Sequence, residues 1–242
     1  MPDRRTHRGP HPEDARLFAA PVRATLVQAM EEYAYLLSRG YGEPSARALV
    51  GNRHGLTARQ RMALRRSACT DEALERRQRT RRPLSECLDQ PLGIDGYNLL
   101  ITIESALSGG VILIGRDGCA RDLASVHGTY RRVSETLPAI RLIAGHLAEA
   151  RARMVDLYLD RPVSNSGRLK TLMRDTLSGG KTAWRIELVD NPDAALSAYS
   201  GPVVSSDSWI LDRCNAWVNL AREIIERHIP NGWIVDLVDL RG

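Results

Sequence analysis

The sequence predicts an α/β fold in which a mostly parallel sheet is flanked by helices and preceded by a small all-α unit. In the first third of its 242 residues, apolar side chains recur at helical spacing. Beyond residue 91, short apolar runs alternate with amphipathic stretches, which is the pattern of strands connected through helices. A hydrophobic fraction of 43% is sufficient to form a core.

The N-terminal part carries the signals of four helices. They are expected at residues 13–38, 44–53, 57–68 and 71–79. Pro21 can divide the first helix into two, and Gly40 ends it. Thr57 is the expected N-cap of the third helix, with Gln60 in the position that completes a capping box.

The C-terminal part alternates between strands and helices. Strands are expected at residues 92–94, 111–114, 154–159, 183–189, 203–205 and 233–238, and helices at 98–107, 135–150, 166–177 and 208–227. Residues 81–91 have the composition of a linker, and residues 115–132 that of a long functional loop. The expected organisation is a disordered tail at 1–13, an Arg-rich helical domain at 14–82 and an α/β domain at 83–242.

Composition excludes several classes of protein. No run of about 18 apolar residues is present, so no membrane span is predicted, and the charged N-terminus is unlike a signal peptide. The four cysteines are far apart and form no CxxC pair, which argues against a classical zinc site and against a disulfide-stabilised secreted domain. We therefore expect a cytoplasmic protein, and the sequence leaves its oligomeric state open.

Positive charge is concentrated near the N-terminus. Residues 1–90 contain 17 Arg against 11 Asp plus Glu, whereas the rest of the chain contains 17 basic and 18 acidic residues. Such an excess suits contact with phosphates, although a solvated helix face gives the same pattern. The candidate nucleic-acid contacts are Arg53, Arg59, Arg61, Arg65 and Arg66. The expected partner is RNA.

Acidic residues follow several of the predicted strands. Asp95, Asp160 and Asp207 each end a strand, and these three are the candidate catalytic and metal-binding residues. Asp117 and Asp212 lie slightly further along and are additional candidate metal ligands. A single acid at a strand end is usually a helix cap, but several at one edge of a sheet repel one another unless a cation lies among them. Oxygen ligands favour Mg²⁺ or Mn²⁺.

Other polar residues near these acids are candidates for binding substrate. The stretch RPVSNSGRLK provides hydroxyl groups, cations and a helix N-terminus that suit a phosphate, although a simple serine cap with surface cations is an equal alternative. The candidate substrate-binding residues are Asn98, Ser164, Asn165, Ser166, Arg168, Lys170 and Ser206. His127 is interpreted as a hydrogen-bonding loop residue rather than a general base, and Cys119 as a remote candidate nucleophile.

Longer blocks of the sequence resemble a known family. GYGEPSARALVGNRHGLTARQRMALRRSAC resembles the N-terminal helical region of the family called domain of unknown function 434. IDGYNLLITIESALSGG, GRDGCARDLASVHGTYR, YLDRPVSNSGRLK and SSDSWILDR resemble the C-terminal domain that accompanies it. This resemblance covers about residues 35 to 227 and implies no established activity.

Two short motifs are similar to those of NYN-type nucleases of the PIN-like superfamily. IDGYN is similar to their opening motif, and VVSSDSWILD to a later one in which a second acid follows. The resemblance implies a PIN-like, Rossmann-like sheet and a metal role for Asp95 and Asp207, with Asp160 as the intermediate acid. Asp212 departs from the pattern, because it lies five residues after Asp207 rather than closer.

Three hypotheses follow for the function. The leading one is a Mg²⁺- or Mn²⁺-dependent ribonuclease in which the Arg-rich helices hold the RNA. The alternative is a non-catalytic RNA-binding or adaptor protein with a PIN-like fold. The third is a phosphohydrolase with Asp95 as nucleophile, which is disfavoured because Tyr97 stands where such enzymes commonly have a second acid.

Overall fold

A computed structural model describes residues 7–124 and 130–238 of the chain. Its helices are α1 (Asp14–Leu17), α2 (Ala20–Ser38), α3 (Glu43–Arg53), α4 (Ala58–Ser67), α5 (Asp71–Thr80), α6 (Gly96–Leu107), α7 (Thr136–Glu149), α8 (Ser166–Leu177), α9 (Pro192–Ser197), α10 (Ser208–Leu211) and α11 (Leu220–His228). Its strands are β1 (Leu92–Asp95), β2 (Ile112–Ile114), β3 (Ala120–Asp122), β4 (Met154–Asp160), β5 (Ala183–Val189), β6 (Val203–Val204) and β7 (Ile234–Asp236).

The strands form two sheets rather than one. The larger sheet has the order β5-β4-β1-β6, and each pair in it is parallel. The smaller sheet has the order β3-β2-β7, with β3 antiparallel to β2 and β7 parallel to it. The predicted α/β class with a mostly parallel sheet is confirmed. All four residues of β1 are buried because β1 lies inside the larger sheet with helices packed against it.

The N-terminal helices pack on the smaller sheet. Leu26, Met30 and Leu64 share a buried cluster with Leu113 of β2 and Val235 of β7. The all-helical character of this region is confirmed, and so is the capping box, in which Thr57 and Gln60 exchange hydrogen bonds. Burial of this apolar contact holds the helices firmly against the α/β part, because removing apolar surface from water drives the association.

The predicted helix at residues 208–227 is wrong. It is divided into α10 and α11, and residues 212–219 between them are not helical. Trp217 explains the interruption, since its backbone bridges both Val203 and Arg81 and its indole N–H donates to the carbonyl of Arg77 at 2.8 Å. Tertiary pairing of this fully buried residue overrides the local helical preference.

The predicted loop at residues 115–132 and the predicted tail also need correction. The loop contains β3, a short strand with two charged residues that carries no apolar signal. His7 and Arg8, which belong to the predicted disordered tail, instead contact the α/β part. Arg8 pairs with the buried carboxylate of Glu104 and lies over the ring of Tyr130, 5.1 Å from its centroid. Within the described residues, no helix is long and apolar enough to cross a membrane.

Candidate functional site

Asp95 lies where β1 meets α6. One carboxylate oxygen, Oδ1, accepts the backbone N–H of Asn98 at 3.2 Å, so Asp95 caps the helix, and Oδ2 accepts the hydroxyl of Ser205 at 3.0 Å. Gly96 is required beside it, because a Cβ there would lie 2.7 Å from the side chains of Leu157 and Leu159. The tight turn places the carboxylate at the carboxyl edge of the larger sheet, where α/β proteins bind ligands.

Burial of Asp95 alters its acidity. The residue is only 7% exposed. Burial, reinforced by the nearby charges of Asp193 and Asp207, raises the pKa of Asp95 to about 7. The carboxyl group can therefore gain or lose a proton near neutral pH, which is a property of catalytic acids and bases.

Asp207 and Asp193 lie close enough to Asp95 to interact with it electrostatically. Asp207 follows β6, where its backbone N–H donates to the Ser205 hydroxyl at 3.0 Å and its Oδ1 accepts the N–H of Trp209 at 2.8 Å. Asp193 lies in the first turn of α9. Partial burial, with the charges of Asp207 and Asp160, raises the pKa of Asp193. The sequence reasoning missed Asp193, because it follows β5 by four residues and does not end the strand.

Asp160 ends β4 and lies beside the same group. Burial raises the pKa of its carboxyl group as well. Its carboxylate has no side-chain hydrogen bond or ion pair among residues 7–124 and 130–238. The carboxyl edge therefore carries four aspartates, at positions 95, 160, 193 and 207, and no cation is paired with any of them in the described part of the chain.

The fit of a metal ion to this edge is partial. In the part of the chain that the structure describes, no three His, Cys, Asp or Glu side chains converge closely enough to hold a metal ion. Magnesium, however, is usually held by one or two carboxylates with water and substrate oxygens completing its shell. Asp95 and Asp207, connected through the Ser205 hydroxyl, are the pair that could hold it in this way.

A cleft of about 830 Å³ opens beside the acids. Its lining includes Asp160 and Asp207 together with Arg65 and Arg66 of α4. The size is within the range of small-molecule and substrate sites. The cleft thus brings cations of the helical region and carboxylates of the sheet edge into one cavity.

Asn98 and Ser206, both predicted as substrate-binding residues, line this cleft and contact each other. The side-chain oxygen of Asn98 accepts both the backbone N–H and the hydroxyl of Ser206, at 2.9 and 3.0 Å. These bonds tie the end of β6 to α6. The Asn98 side chain therefore also fixes the positions of the strand ends that carry Asp95 and Asp207.

Asp117 and Asp212, also predicted as metal ligands, are instead paired with arginines. Both oxygens of buried Asp117 accept from Arg121, at 2.8 and 2.6 Å, and one also accepts from Arg77 at 2.6 Å. Asp212 accepts from Arg77 at 2.7 Å. Burial alone would raise the pKa of Asp117, but the charges of Arg121 and Arg77 hold it well below its usual range. A metal ion would have to displace these guanidinium groups, which argues against the predicted role.

The five predicted nucleic-acid contacts divide into two kinds. Arg59 binds the buried Asp14, Arg61 binds the carbonyl of Leu56 and the side chain of Asn52, and Arg53 lies 3.3 Å from Glu32. These three arginines stabilise the helical region. Arg65 and Arg66 line the cleft.

The two arginines in the cleft differ in their partners. Arg66 is bound to the carbonyl and carboxylate of Asp122. Arg65 has no hydrogen bond or ion pair with any residue that the structure describes. Arg65 is thus the cation of the predicted set that is freest to bind a ligand.

The predicted phosphate-binding stretch is divided between two cavities. Asn165 and Arg168 line one of about 340 Å³, whereas Lys170 lines another of about 310 Å³. Ser164 is exposed, and the hydroxyl of Ser166 donates to the carbonyl of Arg161 at 3.2 Å. The stretch therefore does not form a single site.

The two remaining candidates are His127 and Cys119. His127 lies outside the described residues. Cys119 is fully buried, and burial together with the charge of Asp117 raises the pKa of its thiol. A buried thiol of raised pKa is a poor nucleophile, because the thiolate is the reactive form.

Comparison with known proteins places the chain in a family of unknown function. The family model described as protein of unknown function (DUF434) matches residues 25–80 of this chain. Uncharacterized protein MJ0935 of Methanocaldococcus jannaschii is 29% identical over 204 residues, which are 84% of this chain and 97% of that protein. No solved structure matches significantly. The model of a domain of unknown function, DUF5616, matches residues 84–223, more than half of the chain, and the chain therefore belongs to the DUF5616 family.

Proposed function

We propose that the protein is a divalent-metal-dependent enzyme that hydrolyses phosphodiester bonds in RNA. The observation that carries the proposal is the group of four aspartates at the carboxyl edge of the larger sheet, with no cation paired to them among the described residues. Like charges raise one another's pKa and repel, so their grouping is stabilised when a cation binds.

The cleft supports RNA as the substrate class. Arg65 and Arg66 line the same cleft as Asp160 and Asp207, so a phosphodiester bound there would meet both cations and carboxylates. Such an arrangement suits a polyanion held by arginine while its reacting phosphate lies at the acidic edge. The N-terminal region would then act as the binding wall of the enzyme.

The residues of the edge have separable roles in this proposal. Asp95 and Asp207 would hold Mg²⁺ or Mn²⁺, which when bound lowers the pKa of water and stabilises developing negative charge. Ser205 holds the two acids in position through its hydroxyl. Asn98 fixes the adjoining strand end, and Asp160 faces the cleft, where it can accept a proton from a bound water or hydroxyl.

A cleavage assay with matched variants tests the proposal. Purified protein with Mn²⁺ is expected to cleave a labelled single-stranded RNA, and Asp95→Asn and Asp207→Asn are expected to lose the activity by at least about a hundredfold. Asp175→Asn, which removes an exposed acid of α8 away from the edge, is the control and should cleave normally. Equal cleavage by all four proteins would indicate a contaminant and contradict the proposal.

The non-catalytic alternative has one observation in its favour, the lack of three converging metal ligands among the described residues. It predicts salt-dependent RNA binding without cleavage under any divalent ion. Calorimetric titration separates the two, since only the enzyme requires Mn²⁺ to bind at Asp95 and Asp207.

A further inference from the structure

A second cavity lies beside the cleft and is lined by arginines. Its walls include Tyr130, Arg131, Arg132, Asn165 and Arg168, which together define the arginine pocket, and it has a volume of about 340 Å³. No acidic residue lines it. Arg132 and Arg168 are exposed and form no hydrogen bond or ion pair with residues that the structure describes. Two unpaired cations that share a cavity repel each other, and an anion relieves that repulsion.

The walls of the arginine pocket are held in place by other residues. The side chain of Asn165 donates to the carbonyl of Tyr130 at 3.0 Å, and the guanidinium of Arg8 donates to the carbonyl of Arg131 at 3.0 Å. Asn165 adopts a left-handed backbone conformation, with φ of 70°, at the N-cap of α8. The residues preceding α7 are thereby fixed against the start of α8.

The start of α8 adds a second favourable feature. The side chain of Asn165 is directed to Tyr130, and no side chain caps the helix. The first N–H groups of a helix of this length carry partial positive charge and bind anions when no cap satisfies them. Arg168, on the first turn, adds a full charge at the same place.

The arginine pocket adjoins the proposed catalytic cleft. Val163 lines the cleft, and Asn165, two residues later, lines the arginine pocket. The loop that follows Asp160 therefore contributes to both cavities. On the other side, the rings of Tyr97 in the cleft and Tyr130 in the pocket lie 5.3 Å apart between centroids. A single-stranded RNA that leaves the acidic edge past Asp160 would therefore reach the arginine pocket next.

We propose that the arginine pocket binds a backbone phosphate of single-stranded RNA, adjacent to the phosphate held in the cleft. This inference rests on the proposed function for the identity of the ligand, and it extends the RNA contact surface from α4 to the start of α8. Arg132 and Arg168 donate to the phosphate oxygens, and the helix N-terminus faces the same group.

Binding measurements without divalent metal test this pocket separately from catalysis. Fluorescence anisotropy with a labelled 12-nucleotide single-stranded RNA in EDTA is measured for Arg132→Gln, Arg168→Gln and the double variant. Each single variant is expected to lose about three- to fivefold in affinity, and each reduces the slope of log affinity against log salt by about one. Arg174→Gln is the control, because it removes the same charge from α8 but lines a different cavity.

The outcomes distinguish the two proposals. Losses in Arg132→Gln and Arg168→Gln with little change in Arg174→Gln support the pocket, even if Mn²⁺ produces no cleavage and the catalytic proposal fails. Equal losses in all three variants, unchanged affinity in the pocket variants, or no RNA binding by the unaltered protein overturn it. Aspartate-dependent cleavage with unchanged affinity in the pocket variants would overturn the pocket alone.

Discussion

Two groups of aspartates in this protein have similar sequence surroundings but opposite environments. At the carboxyl edge of the larger sheet, burial and neighbouring carboxylate charges raise the pKa of Asp95 and that of Asp193, and Asp207 supplies one of those charges. In the arginine network, Asp117 and Asp212 are bound by Arg77 and Arg121. Acids with arginine partners stabilise the fold, whereas acids grouped without partners weaken it and are available to a ligand.

The two groups of aspartates differ in whether arginines compensate their charge. The arginine network connects the helical region to the α/β part, because Arg77 belongs to α5 and Arg121 to β3. A metal ion at either carboxylate would compete with the arginines already bound there. The aspartates of the carboxyl edge have no arginine partner among the described residues, so their repulsion lowers the stability of the fold. Residues at functional sites commonly have this effect.

The largest expected effect tests the network. Asp117→Asn removes the charge partner of buried Arg121 and one of the two acids bound to buried Arg77, so it should lower the free energy of unfolding by about 3–5 kcal/mol. Urea denaturation followed by circular dichroism measures this. A loss below about 1 kcal/mol would show that the pairing of Asp117 with Arg77 and Arg121 does not stabilise the fold as argued above.

The next prediction concerns the opposite behaviour of Asp95. Its pKa is near 3.8 in the unfolded chain and about 7 in the fold, so below about pH 4 the group is protonated in both states. Between about pH 4 and pH 7 the unfolded state loses its proton first, and stability falls by at most ~4 kcal/mol. Asp95→Asn should lack this decline.

Unfolding measured from pH 4 to pH 8 provides the check. Asp95→Asn should be more stable than the unaltered protein at pH 8, and the two should converge near pH 4. Asparagine can still accept the N–H of Asn98, so the helix cap is retained. Parallel stability curves for the two proteins would contradict the raised pKa. Addition of Mn²⁺ should stabilise only the unaltered protein, because a ligand of the folded state raises its stability.

The fold was largely predictable, whereas the partners of the acids were not. The cap at Thr57 and the strand ending in Asp95 depend on local spacing, which a sequence displays directly. The interruption at Trp217 depends on a backbone bridge to Val203, and the role of Asp117 depends on Arg77, 40 residues away. Such contacts are set by tertiary packing, so the spacing of Asp117 from a strand could not distinguish an ion pair from a metal ligand.

A matched pair in one segment sharpens the comparison further. Asp212→Asn removes one of the two acids bound to Arg77 and should cost about 1–2 kcal/mol, because a hydrogen bond between charged groups is lost. Asp207→Asn, five residues earlier, should change stability by less than about 0.5 kcal/mol while abolishing metal binding. Thermal unfolding and calorimetric Mn²⁺ titration of both variants are needed. The reverse ranking would exchange the roles assigned to the two groups.

The smallest expected effect tests the electrostatic connection within the carboxyl edge. Asp193→Asn removes one of the charges that raise the pKa of Asp95, so that pKa should fall, by less than about one unit because exposed charges are well screened. Carboxyl ¹³C titration by NMR measures it directly. Asp190→Asn is the matched control, since Asp190 lies three residues before Asp193 but is paired with Arg161 at 2.9 Å. If both substitutions move the titration of Asp95 equally, the effect is one of general charge, and Asp193 does not belong with Asp95 and Asp207.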